Sequence, residues 1–379
     1  MNQSIKNAVF SVILVVLLLT SLVGMLTIAF AMLEWAYTPT QQDDALPPPS
    51  RVDLASELAP YIMFRPPVDT TLSDVAMPAE PGDESPPTID INKHGFRYGP
   101  LNKEKPDDTL RIFMLGGSVV FYGHTNETTI SGYLEQRLDE AYAPTDVQVV
   151  NAGVTGFISD QELTMLVTQV IEFQPDAVIV FDGFNDFLMP TAFEQRLGYP
   201  FKFKTLETAW YQSTVILRRV SQLNFLETTL AGSHFLRRFS PNWSYVNFLG
   251  EAEEMQARQE APVPTPRAMA EHLIENWRKM ARFLMAYQVS GLIILQPFNT
   301  NELPNAYAPQ YDIVESVIPA LNDEFAAANP PIRFASYRNR MDERMDLFWD
   351  QVHTYDEGNQ IYADQMQRDL PPLTPSAAQ

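Results

Sequence analysis

Short apolar runs that do not alternate with polar residues constrain this chain more than any other feature. Residues 110–115, 147–150, 177–181 and 291–295 are of this kind, and 332–335 is a fifth. A strand with one solvated face alternates apolar and polar side chains, whereas a run without alternation is covered on both faces. Between these runs lie stretches with helical spacing: 129–142, where Ile130, Tyr133, Leu134 and Leu138 share a face, then 161–173, 267–287 and 357–370. Strand and helix in alternation predict an α/β domain, with a parallel sheet between layers of helices. Ligands on such sheets bind beyond the carboxyl ends of the strands. Those ends read Gly116-Gly117-Ser118, Asn151-Ala152-Gly153, Asp182-Gly183-Phe184-Asn185 and Gln296-Pro297. Chemistry is expected at these turns.

The N-terminus is of a different kind. Between Lys6 and Glu34 lie 27 residues without a charge. As a helix rising about 1.5 Å per residue, this run exceeds a hydrocarbon core of about 30 Å. Ala29-Phe30-Ala31 resembles a signal-peptidase site, but the apolar run is longer than a signal core of about 7–15 residues. The expectation is an uncleaved single-pass membrane anchor over 1–37. Lys6 on the leading side favours export of everything that follows, so the domain is expected to be extracytoplasmic, either periplasmic or extracellular.

Residues 38–90 hold eleven of the 30 prolines, with scattered Asp and Glu, and read as an acidic tether. Within it, 54–64 is apolar enough to dock on the domain. The domain itself spans 91–370, followed by a Pro/Ser/Ala-rich tail over 371–379 that is expected to fray. It is interrupted at 188–266 by an aromatic-rich stretch that includes Phe201, Phe203, Trp210 and Trp243, with Arg218-Arg219 and Arg237-Arg238. This stretch is expected to be a helical insertion or a lid over the strand ends.

Composition narrows the chemistry. Asp and Glu outnumber Lys and Arg by 47 to 26, a net charge of −21, which argues against a nucleic-acid partner. With no cysteine there is no thiolate ligand and no Cys nucleophile. The five histidines show no H-x-x-x-H spacing, so neither a metal nor a cofactor is expected. Acyl transfer needs a nucleophile, a base, an orienting carboxylate and oxyanion donors. Ser118 follows two glycines at a strand-to-helix turn. His353 is the only histidine with a carboxylate three residues earlier, Asp350. Asn185 offers side-chain N–H donors, and Gly156 and Ser118 offer backbone ones. Each also has a plain structural reading, Ser118 as a helix cap, Asn185 in an Asx turn and His353 at the surface. Their order along the chain, each at or near a strand end, selects the catalytic reading.

Four blocks carry a family resemblance: Leu115-Gly116-Gly117-Ser118, Asn151 through Gly156, Gly183-Phe184-Asn185-Asp186 and Asp350-Gln351-Val352-His353. Over residues 90–370 the chain resembles the SGNH (GDSL-type) hydrolases. The lead-in from Asn92 to Arg97 and the pair Gly358-Asn359 are similar to those of membrane-anchored members. The resemblance implies a three-layer αβα sandwich with a five-stranded, flavodoxin-like parallel sheet. It implies Ser118, Asp350 and His353 as the triad, and Ser118, Gly156 and Asn185 as the oxyanion hole. The implied activity is a serine esterase that removes an acyl group, acetyl among the candidates, from a small-molecule, glycan or lipid ester. Two other readings are an O-acyltransferase modifying an exported glycan, supplied by a membrane acyl-donor partner, and a catalytically silent binding scaffold. The chain departs from the family at Gly117, where the name-giving sequence has Asp.

Overall fold

The computed structural model describes residues 3–37, 56–73, 75, 77–82, 85–204, 206–207, 262–302 and 307–373. The chain divides into two units, Met1–Pro48 with Lys204–Glu260, and Pro49–Phe203 with Ala261–Gln379. In the first, helix α1 (Gln3–Tyr37) contains the segment Val9–Leu33, long and apolar enough to cross a membrane. Thr20 and Thr27 donate their hydroxyls to the carbonyls of Val16 and Val23, which satisfies them within the helix. The insertion expected at 188–266 is described to residue 204, at 206–207 and from 262. The rest of it, with both Arg pairs, lies outside the described residues.

The second unit opens with two antiparallel pairs, β1 (Glu57–Ala59) with β2 (Met63–Arg65) and β3 (Thr70–Leu72) with β4 (Ile89–Ile91). The described residues of the proline-rich stretch from 56 onward thus include two short strand pairs. Ala59 and Ile62 enter the main core, and Gln161 Nε2 donates to the Ile62 carbonyl at 2.8 Å. Val75, Ile89 and Ile91 form a second core with Phe121 and Tyr122. Proline suits short edge strands and turns as well as linkers, so its density did not separate the two.

The main sheet follows. β5 (Thr109–Gly116) leads into α2 (Ser118–Phe121), α3 (Ile130–Tyr142) and β6 (Asp146–Gly153). Next come α4 (Ser159–Thr168), β7 (Ala177–Asp182) and α5 (Phe184–Leu188). After the insertion stand α6 (Pro266–Ala286), β8 (Ser290–Leu295), α7 (Ala308–Glu324), β9 (Ile332–Ser336) and α8 (Asp356–Asp369). The five strands are parallel in the order β6-β5-β7-β8-β9. This is the flavodoxin-like order, whose switch point lies between β5 and β7. Helices α3 and α8 pack together on one face, and α4, α6 and α7 on the other. Every residue of β5, β7 and β8 is buried, as runs without alternation require. Thr265 caps α6 by accepting from Ala268 N–H, with Pro266 at its first position, and the helix buries Leu273, Trp277, Met280 and Leu284.

Two helical readings change. The helix expected over 161–173 ends as α4 at Thr168, and a 3₁₀ turn, Val170–Phe173, completes it before Gln174 turns left-handed at φ 54°. α7 is an element the periodicity did not reveal, because it holds Pro309 near its start and Pro319 within it.

Candidate active site

The blocks read from the sequence gather at the carboxyl edge of the sheet. Ser118 opens α2 directly after β5, so its N–H has no partner inside that helix. The turn after β6 holds it in place: Val154 N–H donates to Gly116 O at 3.0 Å, and Asn151 Nδ2 donates to Val120 O at 2.7 Å. A buried arginine from the lead-in block secures the far end of α2. The Arg97 guanidinium donates to the carbonyls of Phe121, Gly123 (2.8 Å) and Thr125 (2.7 Å), and to Asn126 Oδ1 (3.0 Å). Burial lowers its pKa to about 9, which leaves it charged at neutral pH.

Asn185 lies in the first turn of α5. Its Nδ2 donates one hydrogen to Phe157 O at 2.7 Å, and the amide keeps a second. A Cβ on Gly117 would stand only 2.5 Å from that Nδ2. A side chain at residue 117 would therefore require the Asn185 amide to shift. Gly156 has φ +81°, and a Cβ there would meet Phe201 at 3.7 Å. Phe201 thus bounds the site beside this backbone donor.

Asp350 and His353 form a closed pair. Asp350 Oδ2 bonds His353 Nδ1 at 2.6 Å, while Oδ1 accepts from the backbone N–H groups of Val352 (2.9 Å) and His353 (2.8 Å). Burial raises the affinity of Asp350 for a proton, but the hydrogen bonds and charge of His353 outweigh it and hold the carboxyl below its usual range. The imidazole stacks on Trp349 (4.7 Å, 15°) and meets the edge of Tyr122 (4.9 Å, 79°). Tyr122 N–H donates to Ser118 O at 2.8 Å, so the base rests on the turn that the serine opens. His353 Nε2 is buried and has no hydrogen-bond partner among the described residues. Contacts between nucleophile and base are often longer in ligand-free sites than during turnover.

The other described histidines are committed elsewhere. His124 is buried and bonds Pro78 O at 3.2 Å, because the segment ahead of β4 folds over it. His94 bonds Leu101 O at 3.1 Å. His272 pairs with Asp160 at 2.8 Å, a second histidine–carboxylate pair that a separation of 112 residues hid. Ser159 near it is fully buried and donates to Asp186, so it is not available to this pair as a nucleophile. His234 lies outside the described residues. Among those described, no cluster of His, Asp and Glu is arranged to hold a metal ion. Trp349, Arg97 and Asp186 are the participants that motif reading missed. Only Arg97 and Asp186 fell inside quoted blocks, and neither had a chemical role there.

No protein-family model matches the chain, and no curated protein matches it. Solved structures do. A GDSL-like lipase from Parabacteroides merdae aligns at 13% identity and TM-score 0.43, covering 71% of this chain and 98% of its own. A catalytic mutant of Axe2, an acetylxylan esterase from Geobacillus stearothermophilus, aligns at 14% and 0.42, covering 69% and 93%. TesA aligns at 14% and 0.40, covering 69% and 98%. At these values the reading of the site rests on the chain's own geometry.

Proposed function

We propose that this protein is an SGNH-type serine hydrolase that cleaves an O-acyl ester through an acyl-serine intermediate. The observation that carries the reading is the Asp350–His353 pair, with Asp350 saturated by three hydrogen bonds and Nε2 left unpartnered beside the turn of Ser118. His353 Nε2 accepts the Ser118 hydroxyl proton as Oγ attacks the ester carbonyl, and the ionised Asp350 stabilises the imidazolium. The tetrahedral oxyanion takes the N–H groups of Ser118 and Gly156 and the free hydrogen of Asn185 Nδ2. Nε2 then protonates the leaving alcohol, and water repeats the sequence on the acyl-enzyme. Acetyl is among the candidate acyl groups, and Phe201 lies beside Gly156 at the site. With α1 as an anchor and Lys6 on its cytoplasmic side, the site faces outward onto glycan, lipid or small esters.

The test is turnover of p-nitrophenyl acetate by the full chain in detergent, with Ser118→Ala as the control. Serine-dependent release of nitrophenol, together with labelling of Ser118 by a fluorophosphonate, is the expected result. Its absence on both counts rejects the reading. Turnover that rises with an added oligosaccharide acceptor while hydrolysis stays low would assign the acyl group to a sugar hydroxyl rather than water.

A further inference from the structure

The loop that carries the base also carries an aromatic ring that the proposed ester chemistry does not use. An antiparallel bridge between Phe348 and Thr354 closes this loop, and inside it Trp349 N–H donates to His353 O at 3.0 Å. At the tip, Asn299 N–H donates to Gln351 O at 2.7 Å. Trp349, Asp350 and His353 therefore share one tight loop whose backbone is held at both ends.

Two rings meet the imidazole from different directions. The Trp349 indole lies nearly parallel to it, with 4.7 Å between centroids and 15° between planes. Tyr122 meets it edge-on at 4.9 Å and 79°, and the two rings meet each other at 6.0 Å and 66°, which closes the corner. Asp350 Oδ2 fixes Nδ1 at 2.6 Å, but the outer torsion of a histidine is broad, and one hydrogen bond leaves the ring free to tilt about that contact. A ring flat against its face and another across it remove that freedom.

The N-terminal strap seats the indole. Val75, Ile89 and Ile91 form the second core with Phe121 and Tyr122, and Trp349 packs against it. Trp349 is half-buried rather than enclosed, so a smaller apolar side chain there leaves a surface recess instead of a sealed cavity.

We propose that Trp349 is a positioning residue of the base: its indole holds the His353 imidazole in one orientation and stabilises the imidazolium that forms against its face. The inference rests on the esterase reading, in which His353 takes the serine proton and carries a positive charge until that proton passes to the leaving alcohol. The face of an indole is the negative part of its quadrupole and attracts a cation within about 6 Å of its centroid. The stack is therefore stronger with the imidazolium of the transition state than with the neutral ring of the resting site. That difference raises kcat and leaves KM unchanged.

The experiment measures kcat and KM for p-nitrophenyl acetate on the full chain in detergent, comparing wild type with Trp349→Phe, Trp349→Leu and Trp349→Met. Rates are expressed per Ser118 labelled at completion by a fluorophosphonate, which removes any unfolded fraction from kcat. Trp349→Phe keeps a flat ring and is expected within about threefold of wild-type kcat, while Trp349→Leu and Trp349→Met should lower kcat about tenfold at unchanged KM. Two ringless side chains of different shape make a loss common to both a property of the ring rather than of one poor fit. A ringless variant within about twofold of wild-type kcat overturns the proposal. So does a loss in Trp349→Phe equal to that in Trp349→Leu, or a loss that appears in KM instead of kcat. Wild type without serine-dependent turnover is a separate result, since it removes the esterase reading and this inference with it.

Discussion

Gly117 carries no functional group, yet it sets a strict condition on the site. Its hypothetical Cβ stands 2.5 Å from Asn185 Nδ2, the amide proposed to meet the oxyanion. Gly117→Asp, which puts a charged side chain against that amide, is therefore expected to displace Asn185 and lower kcat on the order of 10²-fold. Asn185→Ala should cost about 10²–10³ in kcat by direct loss of the donor. Both are checked by ester turnover, with far-UV circular dichroism to confirm that the fold is retained. An active Gly117→Asp variant would show that Asn185 has room to move. Ser118, Asp350, His353, Gly156 and Asn185 could be picked out as candidates in the sequence because each sits in a short block whose residue types suit one chemistry. The steric tie between residues 117 and 185 was not legible, because nothing in either block refers to the other.

At the scale of elements, the short helix α2 matters most, and its own four residues do not hold it. Arg97 closes it by donating to the carbonyl of its last residue and to two beyond its C-terminal end, and the strap through Val75 packs on Phe121 and Tyr122. Arg97→Met removes these donors and leaves the carbonyls buried, which is expected to lower unfolding stability by about 3 kcal/mol in a urea titration. Turnover near the midpoint of stability should fall with it. A change below about 0.5 kcal/mol would mean that water replaces the guanidinium. The sheet strands were readable from their lack of alternation, to within a few residues at each end. The β1–β4 pairs were not. Their strands are three residues long and partly exposed, so neither period nor apolar content marks them, and their place is set by Ala59, Ile62 and Val75 finding the core.

For the molecule as a whole, buried carboxyls set the response to pH. Burial raises Asp182 and Glu135 to about 7 each. A group that holds its proton more tightly when folded stabilises the fold fully below its unfolded pKa, and that contribution disappears as pH rises through the folded value. Melting temperature is therefore expected to fall between about pH 5 and pH 8. The carboxyls held low, among them Asp350 and Glu324, titrate below this window and do not oppose the trend. A melting temperature that climbs over this range would show that Asp182 and Glu135 are already ionised in the fold. The anchor is tested separately. The chain is expected to stay in the membrane fraction after an alkaline wash and to retain its first 37 residues by mass spectrometry. Cleavage after Ala31 with release of the domain would instead make α1 a signal sequence. Properties that depend on near neighbours in the chain were settled before folding: an uncharged helix long enough to span lipid, parallel strands from runs without alternation, and a histidine one turn from its aspartate. Contacts between distant segments were settled only by the packed structure: Asn185 beside Gly117, Asp186 on Ser159, and the strap over His124. The physical reason is burial, which makes each polar group's energy depend on partners tens or hundreds of residues away, and sequence spacing carries no record of which partner arrives.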